Sequence, residues 1–208
     1  FCFADLFGYK ISILVSKFLT MEKILIAFLV IVSQSTYAPM YKKSEPFTHT
    51  YSIVARDSVT GEIGAAVQSH WFNVGFVVIH AEAGVGAVAT QSLTNPSYGT
   101  KGLALMKQGL SPQQAMDALT ANDEGEMYRQ VAFLNTKGDV ATHTGSLCID
   151  EAGHRQGKNF SVQANMMLNN TVWDAMATAF ETTKGNLAER MLASLKAAQA
   201  EKGDIRGS

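Results

Sequence analysis

Only two of the 208 residues are cysteine and only four are proline. So sparse a cysteine count excludes a disulfide-stapled miniprotein, and four prolines beside 17 glycines exclude a collagen-like or low-complexity chain. Neither sign of charge dominates, since 17 Lys and Arg stand against 18 Asp and Glu. That balance excludes nucleic-acid binding by bulk positive charge. The apolar run Ile24–Val32 is too short for a membrane span, which needs roughly 20 residues. What is abundant is apolar surface, at 47% of the residues, with charged residues at 17%. A disordered chain has the opposite balance. The composition therefore describes one globular domain of ordinary size.

The N-terminal region divides at Met21. Residues 1–20 begin with Phe and show no sustained period, and they read as a non-native upstream extension. Glu22-Lys23, the apolar run Ile24–Val32 and the small residues Thr36 and Ala38 then form a secretory signal peptide pattern over residues 21–38. Residues 39–49 hold two prolines and several charges and read as a linker. The expected location is secreted or periplasmic. Once residues 1–38 are removed, Cys148 is the only cysteine left, so no intramolecular disulfide is expected.

From Thr50 the texture changes. Thr50–Asp57 and Glu62–Ser69 form two β-rich runs around the turn cluster Asp57–Gly61, which predicts a hairpin. Small or apolar side chains on both faces predict that this hairpin is covered on both sides. Phe76–His80 and Val85–Thr90 read as the next two strands, joined around Ala83-Gly84. The run Gly84–Thr90 lacks bulk, which lets another backbone come close. Two helices follow, the second opened by the capping box Ser111-Pro112-Gln113-Gln114. Met127–Leu134 and Asp139–His143 make another hairpin, and Phe160–Asn165 is a seventh strand. Asn169/Asn170 and then Asn186 are expected to cap two final helices. Strands joined by hairpins and helices that come in pairs argue an α+β fold with antiparallel sheets.

Several ordered blocks carry a family resemblance. They are Thr50–Asp57 with Thr60-Gly61-Glu62, Ala83–Gln91, Leu93–Gly99, His143-Thr144-Gly145 with Cys148, Ala152–Arg155, and Gly203-Asp204 with Arg206-Gly207. Together they resemble domain-of-unknown-function family 1028 over nearly all of residues 50–208. The resemblance implies an N-terminal-nucleophile (Ntn) hydrolase-like fold: a four-layer αββα sandwich of two antiparallel sheets packed face to face between helices. Two departures stand out. Ala164 occupies the position of a usual glycine in Gln163-Ala164-Asn165-Met166, and the family pattern continues past Arg206-Gly207 into a strand that this chain, ending at Ser208, is expected to lack.

Candidate chemistry follows from that implied fold. An N-terminal nucleophile needs a hydroxyl or thiol at the head of a strand, a free α-amine as base, and donors for an oxyanion. Thr50 matches the family's first Thr, with Ser52 on the same face and Ser69 at the end of the partner strand. Asn95 joins Thr50, Ser52 and Ser69 as an expected catalytic residue, and Gln91, Thr94, Tyr98, His143, His154, Arg155 and Asn165 are the expected substrate-binding groups. Ser52, Ser69, Gln91, Asn95, His143 and Asn165 are expected to surround Thr50 in one cleft, and the Asn95–Gly99 loop is either a wall of that pocket or a turn held by Asn and Pro. The other reading of Thr50 is an ordinary strand residue, because exposing its amine needs a cut after His49. Cys148, with His143, His154 and Arg155 near it in sequence, is either a thiol nucleophile in an electropositive setting or a buried structural cysteine. One Cys and two His do not form a metal-ligand spacing, so neither metal nor cofactor is expected. The expected function is hydrolysis of amide bonds in small peptides or cell-wall fragments. The alternative is a non-catalytic ligand-binding domain on the same scaffold, and a Cys148-dependent amidase is a third reading. The expected partner is a small amide or peptide ligand, with no nucleic acid, no membrane after signal cleavage, and homo-oligomerisation left open.

Overall fold

The computed structural model describes residues 50–203 and residue 205. The expected extension, signal segment and linker over residues 1–49, and the chain end at Ser208, lie outside the described residues. Strands β1 (Thr50–Arg56) and β2 (Ile63–Ser69) form the expected hairpin and pair antiparallel, with Thr50 opposite Ser69. A short helix α1 (Gly75–Val78) leads into β3 (Ile79–Glu82) and β4 (Gly86–Ser92). Helices α2 (Ser97–Lys107) and α3 (Pro112–Thr120) precede a 3-10 turn at Glu126–Tyr128. Strands β5 (Arg129–Asn135), β6 (Val140–Thr144), β7 (Gly153–Gly157) and β8 (Phe160–Asn165) come next. Helices α4 (Val172–Thr182) and α5 (Leu187–Ala200) close the order. The chain is α+β, with two antiparallel four-stranded sheets, ordered β2-β1-β8-β7 and β3-β4-β5-β6, and five helices among the described residues.

Side-chain alternation sorts the strands into layers. Tyr51, Ile53 and Ala55 of β1 and Phe160, Val162 and Ala164 of β8 pack against Met176, Phe180 and Met191 of α4 and α5. Val88, Val131 and Phe133 of the second sheet pack under Tyr98, Leu103, Met106 and Met116 of α2 and α3. Between the sheets lie Val54, Ala87, Ala89, Ala132 and Leu134. Each helix pair therefore covers the outer face of one sheet, and each large apolar side chain so buried contributes about 1.5–3 kcal/mol. The small side chains of β4 let the sheets approach, and at Gly86 a Cβ would run into the Leu134 carbonyl on β5.

Three local expectations are corrected. The described residues hold eight strands rather than seven, because β7, with the sequence Gly-His-Arg-Gln-Gly, has too little apolar content to read as a strand. It forms because β8 offers it a ladder. Of the expected strand Phe76–His80 only Ile79 and His80 are extended, as the start of β3, while Phe76–Val78 belong to α1. Val74 and Val78, four residues apart, both pack into the core between the sheets, and that spacing suits a helical turn. The residue capping α4 is Thr171, without a side-chain bond to the helix, while Asn169 Nδ2 donates to the Glu201 carbonyl.

Candidate functional site

Part of the space between the sheets is polar. Ser52, Gln163, Ser161 and Asn165 face inward from the first sheet, and Gln91, Gln130, Thr142 and Thr144 from the second. Ser52 Oγ donates to Gln91 Oε1 at 2.6 Å and accepts from Gln163 Nε2 at 2.6 Å. Gln91 Nε2 donates to Gln130 Oε1 at 2.7 Å, and Gln130 Nε2 to Thr144 Oγ1 at 3.0 Å. Thr144 Oγ1 meets His154 Nδ1 at 2.8 Å. At the other end of the seam Ser161 Oγ donates to Gln163 Oε1 at 3.0 Å and meets Thr142 Oγ at 2.7 Å. Buried amides are tolerated only when they are paired in this way.

The seam converges on the head of β1. The Thr50 carbonyl accepts from Gln91 Nε2 at 3.1 Å and from Asn165 Nδ2 at 3.2 Å. Thr50 Oγ1 donates to Ser69 Oγ at 3.2 Å. Thr50, Ser52, Ser69, Gln91 and Asn165, all singled out from the sequence, thus form one connected group at one end of the two sheets. Thr50 and Gln91 also line a cavity of about 340 Å³, together with Ser92, Thr94 and Arg129. Ser92 ends β4 with φ 70, a left-handed backbone that residues other than glycine rarely adopt.

Of the remaining sequence-predicted residues, Thr94 lines the same cavity and His154 joins the seam, while the others are placed elsewhere. The Asn95 side chain accepts from Ser97 N–H at 3.1 Å and so shapes the turn into α2. Thr94 Oγ1, on the cavity wall, donates to the Thr90 carbonyl at 3.0 Å. Tyr98 is buried on the inner side of α2, in the core against the second sheet, where burial and the Asp123 carboxylate push its phenol well above the ordinary range. His143 pairs with Glu126, Nε2 to Oε2 at 3.0 Å, on the outer face of β6. Arg155 reaches Asp174 and Glu181 of α4 at 3.4 and 3.8 Å, on the outer face of the first sheet. Cys148 Sγ donates to the Arg129 carbonyl at 3.3 Å, and burial pushes its thiol up, opposite to what an activated thiolate needs. Burial, aided by the nearby His143, lowers the pKa of His154 within the seam.

The cavity walls come from residues that sequence reasoning passed over: Trp71, Val74, Phe76, Val77 and Leu93. The available signal was Trp71-Phe72, two adjacent aromatics just beyond the end of a strand. Arg129, also unremarked, is bound through Nε to Asp123 Oδ2 at 2.9 Å and through Nη1 to the Leu93 carbonyl. Its guanidinium holds the Asp123 carboxyl down at about 2. A larger open groove of about 1060 Å³ runs between β2, β3 and α5, but no sequence-predicted site residue lines it. Among the described residues no three His, Cys, Asp or Glu side chains stand together as a metal site, and no helix is long and apolar enough to cross a membrane.

Comparison with known proteins agrees with the fold. A crystal structure of protein SPO2555 from Silicibacter pomeroyi, a DUF1028 protein, superposes with a TM-score of 0.71 at 32% sequence identity, over 73% of this chain and 70% of that one. No curated protein matches this chain. The model of the family of unknown function DUF1028 matches residues 50–208, the whole region that holds the two sheets, the polar seam and the cavity at Thr50. The chain belongs to that family.

Proposed function

We propose that this protein is an exported amide hydrolase of the N-terminal-nucleophile type, with Thr50 as nucleophile after cleavage of the His49–Thr50 bond. The observation that carries the reading is the position of Thr50. It heads a central strand, its hydroxyl bonds Ser69, and it lines a concave cavity. The two face-to-face antiparallel sheets between helix pairs support the finer assignment to an Ntn-hydrolase-like fold. In the reaction, the α-amine of Thr50 takes the hydroxyl proton as Oγ1 attacks the amide carbon. That proton passes to the departing amine, leaving an acyl ester on Oγ1. Water then cleaves the ester, releasing the acid and restoring the hydroxyl. A free α-amine titrates near 7.7–8.0, so activity is expected to rise with pH up to about 8.

One observation favours the alternative of a binding domain: the Gln91 and Asn165 amides already donate to protein acceptors, so neither is free for an oxyanion. The intact mass of the purified protein and its labelling by an electrophilic amide mimic separate the readings. A chain beginning at Thr50, with an adduct on Thr50 that Thr50→Ala abolishes and Thr50→Ser partly retains, is the expected result. A chain beginning upstream of Thr50 with no adduct anywhere overturns the reaction in favour of binding. An adduct on Cys148 moves the chemistry to the thiol.

A further inference from the structure

We infer that the cavity at Thr50 selects uncharged amides bearing one aromatic or branched apolar group, with Trp71, Phe76, Val77 and Leu93 as specificity-determining residues. The inference rests on the reading of Thr50 as the residue the ligand must reach. Size is the first argument. At about 340 Å³ the cavity sits at the small end of ligand pockets, roughly 300–1,000 Å³, and so takes one side-chain-sized group rather than an extended peptide or a glycan. Charge is the second. No carboxylate lines the cavity, and the Arg129 guanidinium is committed to Asp123, at 2.9 and 3.3 Å, and to the Leu93 carbonyl. A charged group carried on the apolar end of the ligand, among Trp71, Phe76 and Leu93, would lose water there without gaining a counter-charge. The mouth is the third. Trp71 is 49% exposed, Phe76 73% and Leu93 43%, and Phe72, next to Trp71 in the chain, is 91% exposed. Single exposed apolar residues are ordinary, but a cluster of them around a cavity marks a surface that a ligand covers.

The test measures binding apart from turnover, by calorimetry on the full chain carrying Thr50→Ala. Phenylacetamide is expected to bind at least about tenfold tighter than acetamide, from burial of the ring. 4-Carboxyphenylacetamide is expected to lose that advantage. Trp71→Ala and Phe76→Ala, both at exposed positions, should each weaken phenylacetamide binding several-fold while circular dichroism stays unchanged. Equal affinity for acetamide and phenylacetamide, or preference for the carboxylate, overturns the inference. So does a dimer lost in Phe72→Ser when Trp71→Ala and Phe76→Ala leave phenylacetamide affinity unchanged, since the aromatics would then belong to a contact with a second copy. Selective binding without any Thr50-dependent turnover upholds the specificity and removes the hydrolase reading. Turnover of both amides at equal kcat/KM does the reverse.

Discussion

Asp123 and Arg129 show how one ion pair shapes the cavity wall. The guanidinium holds the Asp123 carboxyl at about 2, below the ordinary value of 3.8, so the pair stabilises the folded state wherever the carboxylate is ionised. A carboxyl with a depressed folded pKa contributes in full above its unfolded value and loses that contribution as pH falls toward the folded one. Asp123→Asn is therefore expected to cost about 1–2 kcal/mol at pH 7, with the gap to the parent protein closing between about pH 4 and pH 2 in urea titrations. The pair is invisible in sequence, where six positions separate two ordinary charged residues among many. Cys148 teaches the same lesson with the opposite sign. Its sequence neighbours His143, His154 and Arg155 read as an electropositive setting, yet in space His143 serves Glu126, Arg155 serves α4, and the buried thiol is pushed up. Iodoacetamide labelling of Cys148 at pH 7 should be slow and should accelerate only in the alkaline range, as followed by intact mass; fast labelling at pH 7 would contradict this placement.

Among the elements, the starts of α3 and α5 were legible because their signals are local. Ser111 and Asn186 both form complete capping boxes, with Gln114 and Glu189. Ser111→Ala and Asn186→Ala are each expected to cost about 1 kcal/mol, measured by chemical denaturation. Close backbone approach was legible at β4 for a similar reason, since a run of small residues has little other use. Gly86→Ala would set a methyl group against the Leu134 carbonyl, a backbone atom that cannot swing aside. A loss of more than about 2 kcal/mol is expected there, and a near-neutral result would mean that β4 and β5 can separate. Helix α1 was not legible. Its Phe-Val-Val sequence has strand propensity, and only the pocket between the sheets makes the spacing of Val74 and Val78 helical.

Across the whole molecule the polar seam does what no single element can: it ties both sheets to the head of β1. Gln91 and Gln130, on neighbouring strands of one sheet, join Ser52, Thr50 and Asn165 of the other. Truncating one glutamine strands its buried partners, so Gln91→Ala and Gln130→Ala should each cost about 2–4 kcal/mol, and their double-mutant cycle should show coupling of about 1 kcal/mol or more. Additive losses would mean that the network does not act as a unit. The sequence by itself determined the α+β class, the β1–β2 hairpin and the capping boxes of α3 and α5, because alternation, turn residues and capping boxes act over a few positions. It also pointed to the group around Thr50, since Ser52, Gln91 and Asn165 are polar residues in strands that are otherwise small or apolar, and such residues must find partners inside. Only the tertiary structure decided that Asn95 shapes a turn and that His143 and Arg155 face outward. It alone decided too that Trp71, Phe76 and Leu93 wall the cavity. Which face a strand turns inward, and which distant loop closes over its end, depend on how the two sheets stack, and no local pattern encodes that packing.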